Sequence, residues 1–273
     1  MNHLRIAILD MYNGHQNEGM RCIKMLVGQF LSQEGIKGNY DIFDVRKENQ
    51  IPDLSYDIYI SSGGPGNPLR EGHAWEAPYY QFIESVFDYN NKNEEKKYLF
   101  LICHSFQMVT HHLGFGEVTK RRSTSFGVMP IHKEFDGDSE PLFAELPDPF
   151  YAVDSRDYQL IQPNWQKINR FGAKLLCLEK IRPHVDLERA IMAIRFSDEV
   201  FGTQFHPEAD SEGMSRYFKT EEKKKAVIDN YGEEKYYEMI DRLDDPDKIM
   251  LTESVIIPTF LRKAAENLLG VAV

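Results

Sequence analysis

Compact apolar runs and amphipathic stretches take turns along the chain as far as about residue 115. Residues 5–9 (RIAIL) read as a buried strand. From about 17 to 33 the apolar positions Met20, Ile23, Met25, Leu26, Phe30 and Leu31 recur on an approximate helical period, which predicts an amphipathic helix. Residues 40–45 and 56–60 give two further strands. The second is stopped by Ser61-Ser62-Gly63-Gly64-Pro65-Gly66-Asn67-Pro68, which continues neither regular element. A helix over about 77–89, a charged loop, a strand over 98–102 and a helix over 106–113 closed by Gly114 complete this half. Such alternation predicts a parallel sheet with helices on both faces.

Beyond about residue 126 the pattern changes to short strands and turns, at 126–132, 150–153, 174–178 and 190–196. These predict a mixed or antiparallel extension of the sheet. The C-terminal stretch is charged and helical in pattern, with 221–225 and 231–243 expected on exposed helices. Residues 252–269 carry a cleaner stripe (Val255, Ile256, Phe260, Leu261, Leu268) that should dock on the body. The expected fold class is therefore α/β: a three-layer arrangement with a mostly parallel central sheet, helices on both faces and a C-terminal helical extension. Residues 1–210 form the main domain in this reading, and 211–273 an extension packed on it.

Composition narrows the function. The 273 residues are 42% hydrophobic and 27% charged, which argues against disorder, collagen or a coiled coil. With 32 basic and 43 acidic side chains the net charge is −11, the wrong sign for a binder of nucleic-acid backbones or anionic membranes. No apolar run approaches the length of a membrane span, and the N-terminus reads directly as a strand. Three widely spaced cysteines, Cys22, Cys103 and Cys177, form no CxxC pair and fit reduced thiols in the cytoplasm, with no metal cluster.

Candidate chemistry sits in three segments. In Phe100-Leu101-Ile102-Cys103-His104-Ser105-Phe106-Gln107 a buried strand runs straight into a helix with a cysteine at the junction. A strand–turn–helix elbow lifts such a side chain above the carboxyl edge of the sheet, and the helix N-terminus behind the sulfur favours an anion. In Val200-Phe201-Gly202-Thr203-Gln204-Phe205-His206-Pro207-Glu208 the proline keeps His206 extended, so that His206 and Glu208 project to one side. Glu208 can then orient the imidazole towards a nucleophile. Gly63-Gly64-Pro65-Gly66 lets backbone amides approach a ligand closely, as an oxyanion hole requires. Taken singly, a buried inert thiol, a surface His-x-Glu and an ordinary loop remain open for these segments. Lys120-Arg121-Arg122 reads as surface charge or as a neutralising patch for an anionic acceptor. No P-loop occurs, so no ATP-using synthetase module is expected in this chain.

Together, Ser62-Gly63-Gly64-Pro65, Cys103-x-x-x-Gln107 and Gly202-Thr203-Gln204-Phe205-His206-Pro207-Glu208 make the chain resemble the class I glutamine amidotransferases, and among them stand-alone GMP-synthase-like members. The resemblance runs from about residue 5 to 208. It implies a flavodoxin-like fold and a Cys-His-Glu triad of Cys103, His206 and Glu208. It implies an oxyanion hole from the amides of Gly64 and His104, and glutamine binding by Gly63, Gln107, Ser155 and Arg156, with arginine standing where the family often has histidine. No cofactor is implied. The ammonia acceptor would be a separate synthetase subunit, with a homodimer as a further possible assembly. A stand-alone γ-glutamyl hydrolase and a catalytically degenerate interaction protein are the alternative functions. The family usually has glycine two residues before and two after the nucleophile; Leu101 and Ser105 here call for local repacking or a wider turn.

Overall fold

The computed structural model describes residues 3–270 apart from 185, 242 and 244. The chain runs β1 (Leu4–Asp10), α1 (Glu18–Leu31), β2 (Gly38–Asp44), α2 (Val45–Glu48), β3 (Ile58–Ser61), α3 (Glu76–Lys92), β4 (Tyr98–Ile102) and α4 (His104–Leu113). It continues with β5 (Glu117–Lys133), α5 (Phe135–Asp138), β6 (Phe150–Ile161), α6 (Trp165–Phe171), β7 (Lys174–Glu179), β8 (Ile191–Arg195) and β9 (Val200–Thr203). Helices α7 (Ser211–Phe218), α8 (Glu221–Tyr231), α9 (Glu233–Asp241) and α10 (Leu251–Leu269) follow.

The nine strands of the described residues form one sheet in the order β2-β1-β3-β4-β9-β8-β7-β5-β6. The first five in that order are parallel, with β9 in the place where a flavodoxin-like sheet has its fifth strand. The other four join through antiparallel pairs. Side chains alternate across the parallel strands, which makes two cores. Ile6, Ile8, Ile58, Ile60, Phe100 and Ile102 pack with α1 and α10 on one face. Ala7, Leu9, Tyr59, Leu99 and Leu101 pack with α3 and α4 on the other. The expected three-layer α/β architecture is thus the observed one.

Helix α1 starts where Asn17 accepts a hydrogen bond from the Met20 amide, and its buried face is Met20, Cys22, Ile23, Leu26, Val27 and Phe30. Helix α10 seats Ile256, Ile257 and Leu261 with no exposure, each worth roughly 1.5–3 kcal/mol of burial. No described helix is long and apolar enough to cross a membrane.

The structure corrects the outline in three places. Strand β5 begins at Glu117 and β6 runs to Ile161, well beyond the expected 126–132 and 150–153. The extra length is a polar hairpin on the sheet edge, where one-sided burial leaves no continuous apolar run. Helix α6 went unrecognised, and α7, inside the expected helical extension, was given no bounds, its start marked only by Asp210, whose side chain caps the Gly213 amide. The charged C-terminal helices are not merely exposed. Val227, Tyr236 and Met239 bury against Phe126, Val128 and Val153 in a third core, the apolar positions being too sparse among the charges to stand out.

Candidate functional site

Strand β4 ends at Ile102 and α4 starts at His104, so Cys103 alone makes the turn. Its backbone lies at φ +47° and ψ −96°, a conformation costing about 1–3 kcal/mol for a residue with a Cβ and kept only where the surroundings enforce it. They do so here: the Cys103 amide donates to the Thr203 carbonyl at 2.7 Å, and its carbonyl accepts from the Gln107 amide at 2.9 Å. The two departures from the glycine pattern are absorbed locally. Leu101 pairs in register with Gly202. A Cβ on that glycine would stand 3.2 Å from the Leu101 Cβ and 2.8 Å from the Phe106 ring, so the missing side chain on β9 makes room for the leucine. The Ser105 hydroxyl donates to the Ser62 carbonyl at 2.6 Å and lies 2.7 Å from Ser61 Oγ, so the serine side chain is satisfied within the turn.

The neighbouring strand delivers the histidine. Beyond β9 the His206 amide donates to the Val153 carbonyl at 2.8 Å, which fixes the backbone. His206 Nδ1 lies 2.8 Å from Oε1 of the fully buried Glu208, and the imidazole lines the same cavity as Cys103. Burial opposes a charge on His206. The Glu208 carboxylate and the Cys103 sulfur outweigh it and raise the imidazole well above the ordinary histidine pKa. Gly63 fits between the two: a Cβ there would be 2.8 Å from His206 Cε1 and 3.5 Å from Cys103 Cβ.

The glycine loop is pinned from below. Ser62 Oγ accepts from the Met11 amide at 2.9 Å and donates to the Gly63 carbonyl at 2.9 Å. Arg46 donates to the carbonyls of Pro65 at 2.6 Å and Met11 at 3.1 Å. Among the described residues neither the Gly64 nor the His104 amide has a hydrogen-bond acceptor, and both residues line the same cavity as Cys103 and His206. That cavity measures about 870 Å³.

The remaining expected residues divide. Ser155 lines the cavity, and its carbonyl oxygen lies 3.8 Å from Cys103 Sγ. Gln107 also lines it, with its amide nitrogen engaged by Gln204 Oε1 at 2.8 Å and the Tyr158 carbonyl at 3.0 Å. Arg156 borders the cavity, yet its guanidinium is buried in ion pairs with Asp154 at 2.9 Å and Glu179 at 3.3 Å. Of the basic run, Arg121 bonds Gln159 and Glu179, whereas Arg122 is exposed on the cavity wall. Among the described residues no group of three or more His, Cys, Asp or Glu side chains is arranged to hold a metal ion.

Three site residues were given no role from the sequence, although Gln204 lies inside the quoted 202–208 motif. Gln204 Nε2 lies 3.5 Å from Cys103 Sγ and links it to Gln107. Tyr12, just past β1, places its hydroxyl against Gly63 and Gly19; burial, then the nearby Glu208 and Cys103, raises its pKa well above 10.0 and keeps it a neutral phenol. Arg46 holds the loop. The position of Tyr12 after a strand's carboxyl end, where ligands bind in open α/β sheets, was the one available signal.

His104 is buried with no partner for Nε2, and burial, aided by the charge of Arg46, lowers its pKa from 6.5 to about 3. It therefore takes up a proton on unfolding between pH 6.5 and 3, and stability falls as pH drops through that window, by at most about 1.4 kcal/mol per pH unit. His104→Phe is expected to flatten the dependence of the urea midpoint on pH between 6.5 and 4; an unchanged slope would contradict this account.

Comparison with known proteins agrees with this geometry. The sequence profile described as "Glutamine amidotransferase class-I" matches residues 23–223. The chain belongs to the class I glutamine amidotransferase family. A glutamine amidotransferase from Thermotoga maritima is similar in structure, with TM-score 0.66 at 15% identity over 97% of this chain and 100% of that one. A second, from Methylobacillus flagellatus, gives 0.55 at 14% identity over 98% and 92%. The glutaminase domain of Trypanosoma brucei CTPS with bound acivicin gives 0.52 at 13% identity over 77% and 88%. No curated protein sequence matches.

Proposed function

We propose that the chain hydrolyses the side-chain amide of glutamine through a thioester on Cys103. The observation that carries the reading is the placement of Cys103 and of the hydrogen-bonded pair His206–Glu208 on one cavity wall, beside the free amides of Gly64 and His104. In the proposed sequence the thiol proton passes to His206 and the sulfur adds to the amide carbon. Negative charge on the carbonyl oxygen faces the two amides, where aligned donors act with no reorganisation cost. The carbon–nitrogen bond then breaks as His206 returns the proton to the leaving ammonia. Water, deprotonated by the same imidazole, cleaves the thioester to glutamate. Glu208 keeps the imidazole oriented throughout.

In this reading ammonia passes to an acceptor held by a separate synthetase subunit. A second reading, a stand-alone γ-glutamyl amide hydrolase, is favoured by one feature: α7 and α8 of the same chain add walls to the cavity through Met214, Tyr217 and Val227.

The test is covalent labelling by a glutamine-mimicking electrophile, combined with ammonia release from glutamine. Modification of the Cys103 peptide, slowed by glutamine, is the expected result. A folded protein labelled only at Cys22 or Cys177, with no ammonia formed, would leave the interaction-scaffold alternative.

A further inference from the structure

We infer that the part of the cavity walled by β5, β6, α7 and α8 binds the amine half of a γ-glutamyl amide, and that this amine is apolar or aromatic. The inference rests on the thiol-amidase reading above and specifies its substrate.

Size comes first. Glutamine has about ten heavy atoms, and at roughly 30 Å³ each, the share of a water in the liquid, it fills on the order of 300 Å³. The cavity offers about 870 Å³. More than half of it therefore lies outside anything that glutamine occupies.

Its chemistry is divided. Phe126, Val153, Met214, Tyr217 and Val227 line one region. In the β5–β6 ladder Phe126 stands opposite Ser155, the residue whose carbonyl faces the sulfur, and both line the cavity that holds Cys103. Val153 accepts the backbone hydrogen bond that fixes His206, which places this apolar wall against the imidazole as well. The Phe126 and Tyr217 rings pack at 5.7 Å, inclined at 59° to each other. Ammonia as leaving group would make no use of this wall, and a charged group seated against it would be desolvated.

The opposite end is polar. Asp157 lies two residues beyond Ser155 on the same side of β6, about 7 Å along the strand, where Thr124 donates to it at 2.5 Å. Exposed Arg122 stands on the same rim. An extended glutamyl group carries its ammonium and carboxylate about 5 Å from the amide carbon, so Asp157 and Arg122 are placed to take them while the amine points under α7 and α8.

The step balances as a hydrolysis. The Cys103 sulfur forms a bond to the γ-carbon, the carbon–nitrogen bond breaks, and the thiol proton leaves with the amine by way of His206. Water then replaces sulfur, releasing glutamate and restoring the thiol.

The test compares kcat/KM of the full chain for γ-glutamyl phenethylamide, γ-glutamylglycine and glutamine, with the released amine quantified. Phenethylamide is expected to exceed glutamine at least tenfold, and γ-glutamylglycine, whose amine half is anionic, to fall below it. Val227→Asp should lower the phenethylamide-to-glutamine ratio tenfold or more, and Met214→Ala, which removes less, severalfold; thermal unfolding reports whether each variant is folded. Glutamine turned over as well as or better than phenethylamide by the unmodified chain overturns the inference and leaves the amidase reading standing. No turnover of any substrate, together with an unlabelled Cys103, overturns both. The wild-type comparison decides even if neither variant folds.

Discussion

Cys103→Ala is expected to lower kcat/KM for glutamine by roughly 10⁴- to 10⁶-fold, the range seen when a covalent nucleophile is removed from an otherwise intact site. The loss should fall on chemistry, because the cavity walls and the Gly64 and His104 amides stay in place. Ammonia release above about one hundredth of the wild-type rate would assign the nucleophile elsewhere. The same position carries a second readout. Glycine is ordinarily the less stable choice against alanine, since it gains freedom on unfolding. At φ +47° the order should invert, because only glycine occupies that backbone without strain. Cys103→Gly is thus expected to melt a few degrees above Cys103→Ala, with about 1 kcal/mol corresponding to about 2–4 °C in a large domain. A lower melting point for the glycine variant would show that the elbow is not strained.

Gly64→Ala should be the next most damaging change. A Cβ there runs into the Met11 carbonyl oxygen and lies 3.0 Å from the Met11 carbonyl carbon, both backbone atoms of a buried strand end that cannot yield. The loop must move instead, and with it the amide proposed to face the oxyanion. Losing one such donor costs about 10²- to 10³-fold in kcat, and a shift of about an ångström is enough to lose it. The expected signature is a kcat reduced by that factor with KM changed little. A variant that raises KM alone would place Gly64 in substrate binding and not in charge stabilisation.

Much of the frame was readable from residue order. Strands β1, β3 and β4 are short apolar runs ended by turn chemistry, and α1, α3 and α4 carry helical periodicity, so the parallel half of the sheet followed. The polar start of β5 was not readable, because an edge hairpin needs few apolar residues. Helices α7 to α9 show why charge alone misleads: Val227, Tyr236 and Met239 are isolated in sequence and become a core only when β5 and β6 lie beneath them. At the site the legible residues sit in contiguous motifs, where the reacting groups and their spacing are written together. Tyr12 and Arg46 act through contacts made across the sheet, and no local pattern sets them apart; Gln204 lies inside the 202–208 motif, but its contact with Cys103 is made only across to the neighbouring strand. Arg156 teaches the converse lesson. It stands beside Ser155 in sequence, yet the alternation of β6 turns it to the other face, where Asp154 and Glu179 hold its charge.

The strand order carries a consequence for how the molecule is made. Strand β9 is the last to be synthesised and sits in the interior of the sheet, between β4 and β8. At about 5–20 residues per second, on the order of 5–20 s separate the emergence of the cysteine from that of its histidine. Throughout that interval β4 presents an open, wholly apolar border, the kind that recruits stray strands and chaperones alike. Closure by β9 seals the border and carries His206 to the cavity that Cys103 lines, so under the proposed reading a chain that ends before β9 would hold a thiol without its base.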